Sequence, residues 1–173
     1  NSVLETGEQC DDGDSDNGDG CSSTCLIEVP PSNTCSDDNQ IIMKLSSQNN
    51  SHAALWNDPN YAEKICYIDI FGEEYTGANP HACVGTTNKV VGLYSASNAH
   101  AEIPERIDYG IKVCYGDLVC RSDTGDCAPN EKVVARLDSD INSHMATWDF
   151  PNYGTFNICC GRGISSLLEN LHW

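Results

Sequence analysis

Asn50-Ser51-His52-Ala53, Asn98-Ala99-His100-Ala101 and Asn142-Ser143-His144-Met145 are three versions of one segment, and the fold has to be read through them. The agreement extends outward on both sides. A tyrosine follows each histidine after nine positions, at Tyr61, Tyr109 and Tyr153. A cysteine follows after 14, 14 and 15 positions, at Cys66, Cys114 and Cys159. Upstream, Cys35, Cys83 and Cys127 open the three copies, so the opening and closing cysteines stand 31, 31 and 32 residues apart. Self-similarity at a period of this length is the mark of a repeat architecture.

The segments around the histidines read as strands. In the third copy Val133, Ala135 and Leu137 share one face, and Val134, Arg136 and Asp138 the other. Ile41, Met43 and Leu45 oppose Ile42, Lys44 and Ser46 in the first copy in the same way. A period of two is that of a strand with one buried face. Among closing strands, Tyr109, Ile111, Val113 and Tyr115 share a face, which leaves Cys114 in phase with Lys112. The Cys114 bridge is therefore expected to tie the sheet to a loop or an edge, and Cys66 likewise. About three strands per copy, or about nine in all, follow. Glu73 to Asn88 and Arg121 to Glu131 read as loops, being rich in Gly, Asp and Thr. A unit this short cannot bury a core alone. The expectation is an antiparallel β-sandwich built from three internal repeats (units 35–66, 83–114 and 127–159 of a domain at 36–160). A threefold trefoil-like barrel is the alternative.

The chain has 173 residues and 11 cysteines, and its formal charge is −17. That cysteine density points to disulfides in an oxidising, extracellular setting. No run of about 18 apolar residues is present, so no membrane span is expected. Strong acidity disfavours nucleic acid as a partner and favours divalent cations. It equally serves to keep a secreted chain in solution. Residues 1–43 hold ten acids and no lysine or arginine. The lack of an initiator Met suggests a processed or partial chain.

Residues 3–25 contain Gly7-Glu8-Gln9-Cys10-Asp11-Asp12-Gly13, then Gly18-Asp19-Gly20-Cys21-Ser22 and Cys25. This stretch resembles the Myxococcus-type cysteine-rich repeat, with Glu28 and Cys35 where that family tends to place an acid and a closing cysteine. The resemblance covers about the first 35 residues and implies a small disulfide-held module of secreted and surface proteins, not an activity. The family's usual upstream cysteine is missing. Its absence leaves an odd cysteine count, which a cut chain, an incomplete one or a partner cysteine on another molecule would each explain. Independently of the family, Asp12, Asp14, Asp16, Gly18 and Asp19 set alternate carboxylates in a tight turn, a candidate Ca²⁺ site. A solvated acidic turn held by Cys10, Cys21 and Cys25 is the competing reading, since the EF-hand spacing is not met. Pro30-Pro31-Ser32-Asn33 then links this module, residues 1–35, to the repeats.

A pseudo-threefold axis would gather His52, His100 and His144 into a metal site. A repeated histidine in a strand more commonly serves packing and a backbone hydrogen bond, and that reading is preferred here. Trp56 and Trp148 read as core or interface aromatics rather than sugar platforms. Asn49-Asn50-Ser51 is the one glycosylation sequon, with Asn49 the acceptor. After Gly161-Arg162-Gly163, the tail (161–173) places Ile164, Leu167, Leu168, Leu171 and Trp173 on one helical face. It either caps its own domain or docks head-to-tail on the next copy, a contact that propagates into a fibre.

No catalytic motif stands out, so no enzyme is expected. All of the cysteines, Cys10, Cys21, Cys25, Cys35, Cys66, Cys83, Cys114, Cys120, Cys127, Cys159 and Cys160, are disulfide candidates. The functional expectation is a secreted structural protein, a fibre subunit that polymerises with copies of itself and is stabilised by disulfides and Ca²⁺. The alternative is a Ca²⁺-dependent adhesion or carbohydrate-binding module with glycans as partners. The three repeats also resemble those of secreted archaeal and other microbial surface proteins, which implies only a cell-surface location.

Overall fold

The computed structural model describes residues 35–163. By its contacts the chain divides into Asn1–Ser32 and Asn33–Trp173, and the second unit is described below. The expected Ca²⁺ residues Asp12, Asp14, Asp16, Gly18 and Asp19 lie outside the described residues. So do Cys10, Cys21, Cys25 and the tail positions Ile164, Leu167, Leu168, Leu171 and Trp173.

The first repeat forms β1 (Ile41–Leu45), β2 (Ala53–Ala54) and β3 (Glu63–Cys66), followed by a single helical turn, α1 (Tyr67–Phe71). The second forms β4 (Lys89–Leu93), β5 (Ala101–Glu102) and β6 (Ile111–Cys114). Then come β7 (Leu118–Asp123), β8 (Glu131–Leu137), β9 (Met145–Thr147) and β10 (Phe156–Arg162). Each opening strand is the centre of its own sheet, in the orders β2-β1-β3, β5-β4-β6 and β9-β8-β10-β7. Every pairing is antiparallel. The fold is mainly β, and three antiparallel sheets share one core, in keeping with a sandwich built from three repeats. The described strands form no closed barrel, so the trefoil alternative is not adopted.

Two features depart from the sequence reading. Among the described residues there are ten strands rather than nine, because β7 pairs along the outer side of β10 and runs to Asp123, into what reads as a loop from Arg121. Strict alternation also fails, and in the same place in each repeat. The register slips between Ile41 and Met43, between Lys89 and Val91, and opposite the Ile158–Cys159 step, where Val134 is skipped. An extra residue in one strand turns the following side chains to the other face. Ile42, Val90 and Val134 are consequently buried, while Val133, expected in the core, is only partly so.

The core takes apolar residues from all three sheets, among them Met43, Leu45, Ile65, Val91, Leu93, Val113, Leu137, Met145 and Ile158. Burying each such side chain contributes about 1.5–3 kcal/mol. Tyr67 and Tyr115 are fully buried beside them, and the Tyr115 hydroxyl donates to the Asn39 carbonyl at 2.5 Å.

Three disulfides, Cys35–Cys66, Cys83–Cys114 and Cys127–Cys159, each close one repeat. Their loops of 31, 31 and 32 residues correspond to about 3–4 kcal/mol each in the chain-entropy account. The first two tie the end of a closing strand, and the third the middle of β10, to the loop before the repeat, as the parity of Cys114 suggests. The fourth, Cys120–Cys160, pins β7 to β10. Cys35 thus belongs to the first repeat and does not close the amino-terminal module, contrary to what the family resemblance implied. Bonds of this kind persist in oxidising compartments. Among the described residues no helix is long and apolar enough to cross a membrane.

Trp56 and Trp148 pack as core-edge aromatics, as expected. Trp56 stacks on His81 with centroids 4.2 Å apart and planes 6° from parallel. The His81 Nε2–H donates to the Ile41 carbonyl at 2.7 Å. Burial holds this imidazole below its ordinary pKa, against the pull of that hydrogen bond and of Asp38. The folded state therefore prefers neutral His81, and its contribution is complete above the unfolded value of about 6.5 and lost as pH falls below it. In urea unfolding, wild type is expected to lose more stability between pH 7 and pH 5 than His81→Gln. Equal losses would contradict this assignment.

Candidate metal centre

The three Asn-x-His segments close into a triangle. Ser51 bridges to Met145, Ala53 to Ala99 and Ala101 to Ser143, so each repeat pairs with both others. Each bridge carries two backbone hydrogen bonds of 2.8–3.0 Å. The bridging residues, one on each side of every histidine, are all buried. By the alternation of a strand, the histidines between them point the other way, toward the partly exposed end of the axis.

A seven-residue loop sets each histidine in place. The backbone N–H of Ser46, Tyr94 and Asp138 donates to the carbonyl of His52, His100 and His144 respectively. Inside each loop a serine hydroxyl donates to a carbonyl two residues on, from Ser47 to Asn49, Ser95 to Ser97 and Ser139 to Ile141. Asn50, Asn98 and Asn142 have φ of 45°, 49° and 54°. Asparagine is among the few non-glycine residues that enter this left-handed region readily.

Those asparagines also orient the rings, and they do so in a cycle. His52 Nδ1 lies 2.6 Å from Asn98 Oδ1, His100 Nδ1 lies 2.5 Å from Asn142 Oδ1, and His144 Nδ1 lies 2.8 Å from Asn50 Oδ1. A carbonyl oxygen only accepts, so each Nδ1 carries a proton, and a ring with its one proton there presents an Nε2 lone pair. Those lone pairs converge. His52 Nε2 and His144 Nε2 each stand 3.1 Å from His100 Nε2, and one ligand atom from each ring lies within 4.8 Å of the others.

Lone pairs this close repel one another unless a proton or a metal ion lies between them. Zn²⁺–N bonds of about 2.0–2.1 Å in a tetrahedral arrangement place ligand nitrogens about 3.3 Å apart, close to the spacing found. An imidazole whose other N–H donates to an oxygen is the usual form of a metal-ligating histidine. The donor set suits Zn²⁺, Cu²⁺ or Ni²⁺ and does not suit Ca²⁺, which takes six to eight oxygens. The backbone partner expected for these rings gives way to an asparagine side chain of another repeat, and the rings face one another at the axis. Cys127, Glu131 and Cys159 also lie close together, but their sulfurs form a disulfide and offer no thiolate.

The serine of the loop was missed in the sequence, although it recurs five positions before every histidine. The asparagines are visible in the sequence as part of the repeat, and their role as acceptors comes from the structure. Tyr61 and Tyr109 reach this region: the Tyr61 hydroxyl donates to Asn98 Oδ1 at 3.3 Å, and Tyr109 meets Tyr94 edge-on with centroids 5.6 Å apart. Tyr153 instead has a buried hydroxyl, and burial pushes its pKa up to about 12. Asn49 is exposed in the first loop, whereas the sequon's Ser51 is buried and donates its hydroxyl to the Met145 carbonyl.

What the fold and site together define is an antiparallel β domain of three disulfide-closed repeats, each presenting one histidine to a common axis. Neither a protein-family model, nor a curated protein, nor a solved structure matches this chain. The likeness of residues 3–35 to the cysteine-rich repeat therefore rests on its own motifs.

Proposed function

We propose that this chain is an extracellular, non-enzymatic β domain that binds one transition-metal ion through His52, His100 and His144, and that the ion locks its three repeats together. The observation that carries this reading is the convergence of the three rings, with two Nε2 pairs at 3.1 Å, one ligand atom of each within 4.8 Å of the others, and every ring held by an asparagine of another repeat. Each repeat supplies one ligand, so the full set exists only when all three are docked. Binding free energy is then folding free energy. Zn²⁺ at about 1,000 times its Kd adds about 4 kcal/mol. For a domain of this size that raises Tm by more than about 10 °C. A melting curve unmoved by Zn²⁺, Cu²⁺ and Ni²⁺ after chelator treatment would overturn the proposal.

The wider reading is that this domain belongs to a fibre subunit at a cell surface. It draws support from the closure of every repeat by its own disulfide, which suits a durable building block. In that proposal Asp12, Asp14, Asp16, Gly18 and Asp19 hold Ca²⁺, and Ile164, Leu167, Leu168, Leu171 and Trp173 dock on the next copy. Electron microscopy of the secreted protein is expected to show regular fibres that fall apart in chelator and return with Ca²⁺. Dispersed monomers under all conditions would favour an adhesion or carbohydrate-binding module instead.

A further inference from the structure

We propose that the ion held by His52, His100 and His144 keeps a coordination position open beside Tyr94 and Tyr109, and that this position takes an aromatic nitrogen donor of the imidazole class. The inference rests on the metal-binding reading above and adds what the ion is for.

The donor count comes first. Among the described residues only the three histidines form this ligand group. Asn50, Asn98 and Asn142 have their Oδ1 atoms engaged by Nδ1. An ion that takes four or more ligands is left at least one short, which is how a site that accepts an outside ligand differs from a closed structural one.

The surroundings of the rings are not threefold. A cavity of about 360 Å³ is lined by His52, His100, Asn98 and Asn142 together with Tyr94 and Tyr109. Tyr94 opens its loop where the other repeats have Ser46 and Asp138. It is 74% exposed, so packing of the domain does not account for so large an aromatic there. A metal clamp that only joined the repeats would have no use for it. Standing edge-on to Tyr109, its ring makes an aromatic wall at one side of the axis.

The wall selects the ligand. A planar ring gains from contact with Tyr94, whereas a small anion does not. The ion's own positive charge draws any lone-pair donor, so it is the aromatic contact that sets a planar ring apart. A neutral nitrogen heterocycle meets that condition, whether free in solution or as a histidine side chain of another molecule.

The test uses the full chain loaded with Co²⁺, whose visible bands report the number and kind of its ligands. Titrated imidazole is expected to shift those bands saturably while cobalt stays bound through gel filtration. Acetate at equal concentration is expected to shift them less. Tyr94→Ala is expected to weaken imidazole binding about two- to tenfold, the range of an aromatic pair contact, as a separate effect from cobalt uptake. Self-association that imidazole dissolves would identify the donor as a histidine of a second copy. A monomer whose bands move identifies a free donor. Cobalt bands that form but ignore imidazole, or an affinity for it indifferent to Tyr94, would overturn the inference and leave the metal site standing. Failure of any band to form would instead remove the metal site itself.

Discussion

His100→Ala is expected to abolish tight binding of Zn²⁺, and Asn98→Ala to weaken it about 10- to 100-fold, the usual cost of removing the partner that orients a ligating histidine. The two substitutions separate a ligand from its support. His100 stands at 3.1 Å from both other Nε2 atoms, so its loss leaves two donors and a gap. Asn98 touches no ion. Its Oδ1 holds the His52 Nδ1 proton and accepts from Tyr61, so its loss frees the His52 ring to turn and to change tautomer. Asn98 also has φ of 49°, and Asn98→Gly keeps that backbone conformation while removing the side chain. Competition titration with a chelating indicator reads all three variants. If Asn98→Gly restores full affinity, the asparagine is present for its backbone and not for the ring. If His100→Ala binds as wild type does, the site is elsewhere.

Glu102→Ala is expected to destabilise the domain by about 3–5 kcal/mol, the cost of stranding a buried charge. Lys89 and Glu102 form an ion pair of 3.0 Å with side chains only 2% and 0% exposed. Further hydrogen bonds support the pair. Lys89 Nζ also donates to the Arg106 carbonyl at 2.6 Å, and the second carboxylate oxygen accepts from the N–H of Asp108 and Tyr109. These contacts fold the loop after β5, which carries Tyr109, against β4. Room for the carboxylate comes from Gly92, where a Cβ would lie 2.3 Å from Glu102 Oε1. Gly92→Ala is therefore expected to destabilise as well, by overcrowding rather than by loss of charge. The double replacement Lys89→Met with Glu102→Leu removes both charges and is expected to recover most of the loss. Denaturant unfolding of the three variants beside wild type decides the matter. A Glu102→Ala cost below 1 kcal/mol would mean that water reaches Lys89.

Much of the architecture is legible in the repeats. Nine residues from His to Tyr and the spacing of the flanking cysteines define three equivalent units, and those cysteines are bonded within their own units. The fourth bond was not legible. Cys159 and Cys160 are adjacent, so both cannot face the same way, and the partner of Cys160 sits on β7, whose polar end reads as a loop. The bulges at Ile42, Val90 and Val134 were hidden for a different reason. Runs such as Ile41-Ile42-Met43 and Val133-Val134-Ala135 are apolar at consecutive positions, so a period of two can be laid over them in either phase.

The metal centre was half legible. Equivalence of His52, His100 and His144 follows from the alignment of the copies, but their convergence depends on Ser51 pairing with Met145, which lies 94 positions along the chain. No local pattern announces a bridge of that span. The one local sign was the asparagine two residues before every histidine. A residue type that tolerates left-handed backbone, repeated at a turn beside a histidine, indicates both a fixed loop and a ready hydrogen-bond acceptor. Read together, the Asn and the His point to an oriented ring, and an oriented ring is what a metal ligand requires.

Equilibrium dialysis against Zn²⁺ in excess Ca²⁺, followed by elemental analysis, tests the central claim most directly. The account predicts one zinc retained per wild-type chain and none per chain of the His52→Ala, His100→Ala, His144→Ala triple variant. Equal zinc in the two proteins, whether one ion or none, would contradict it.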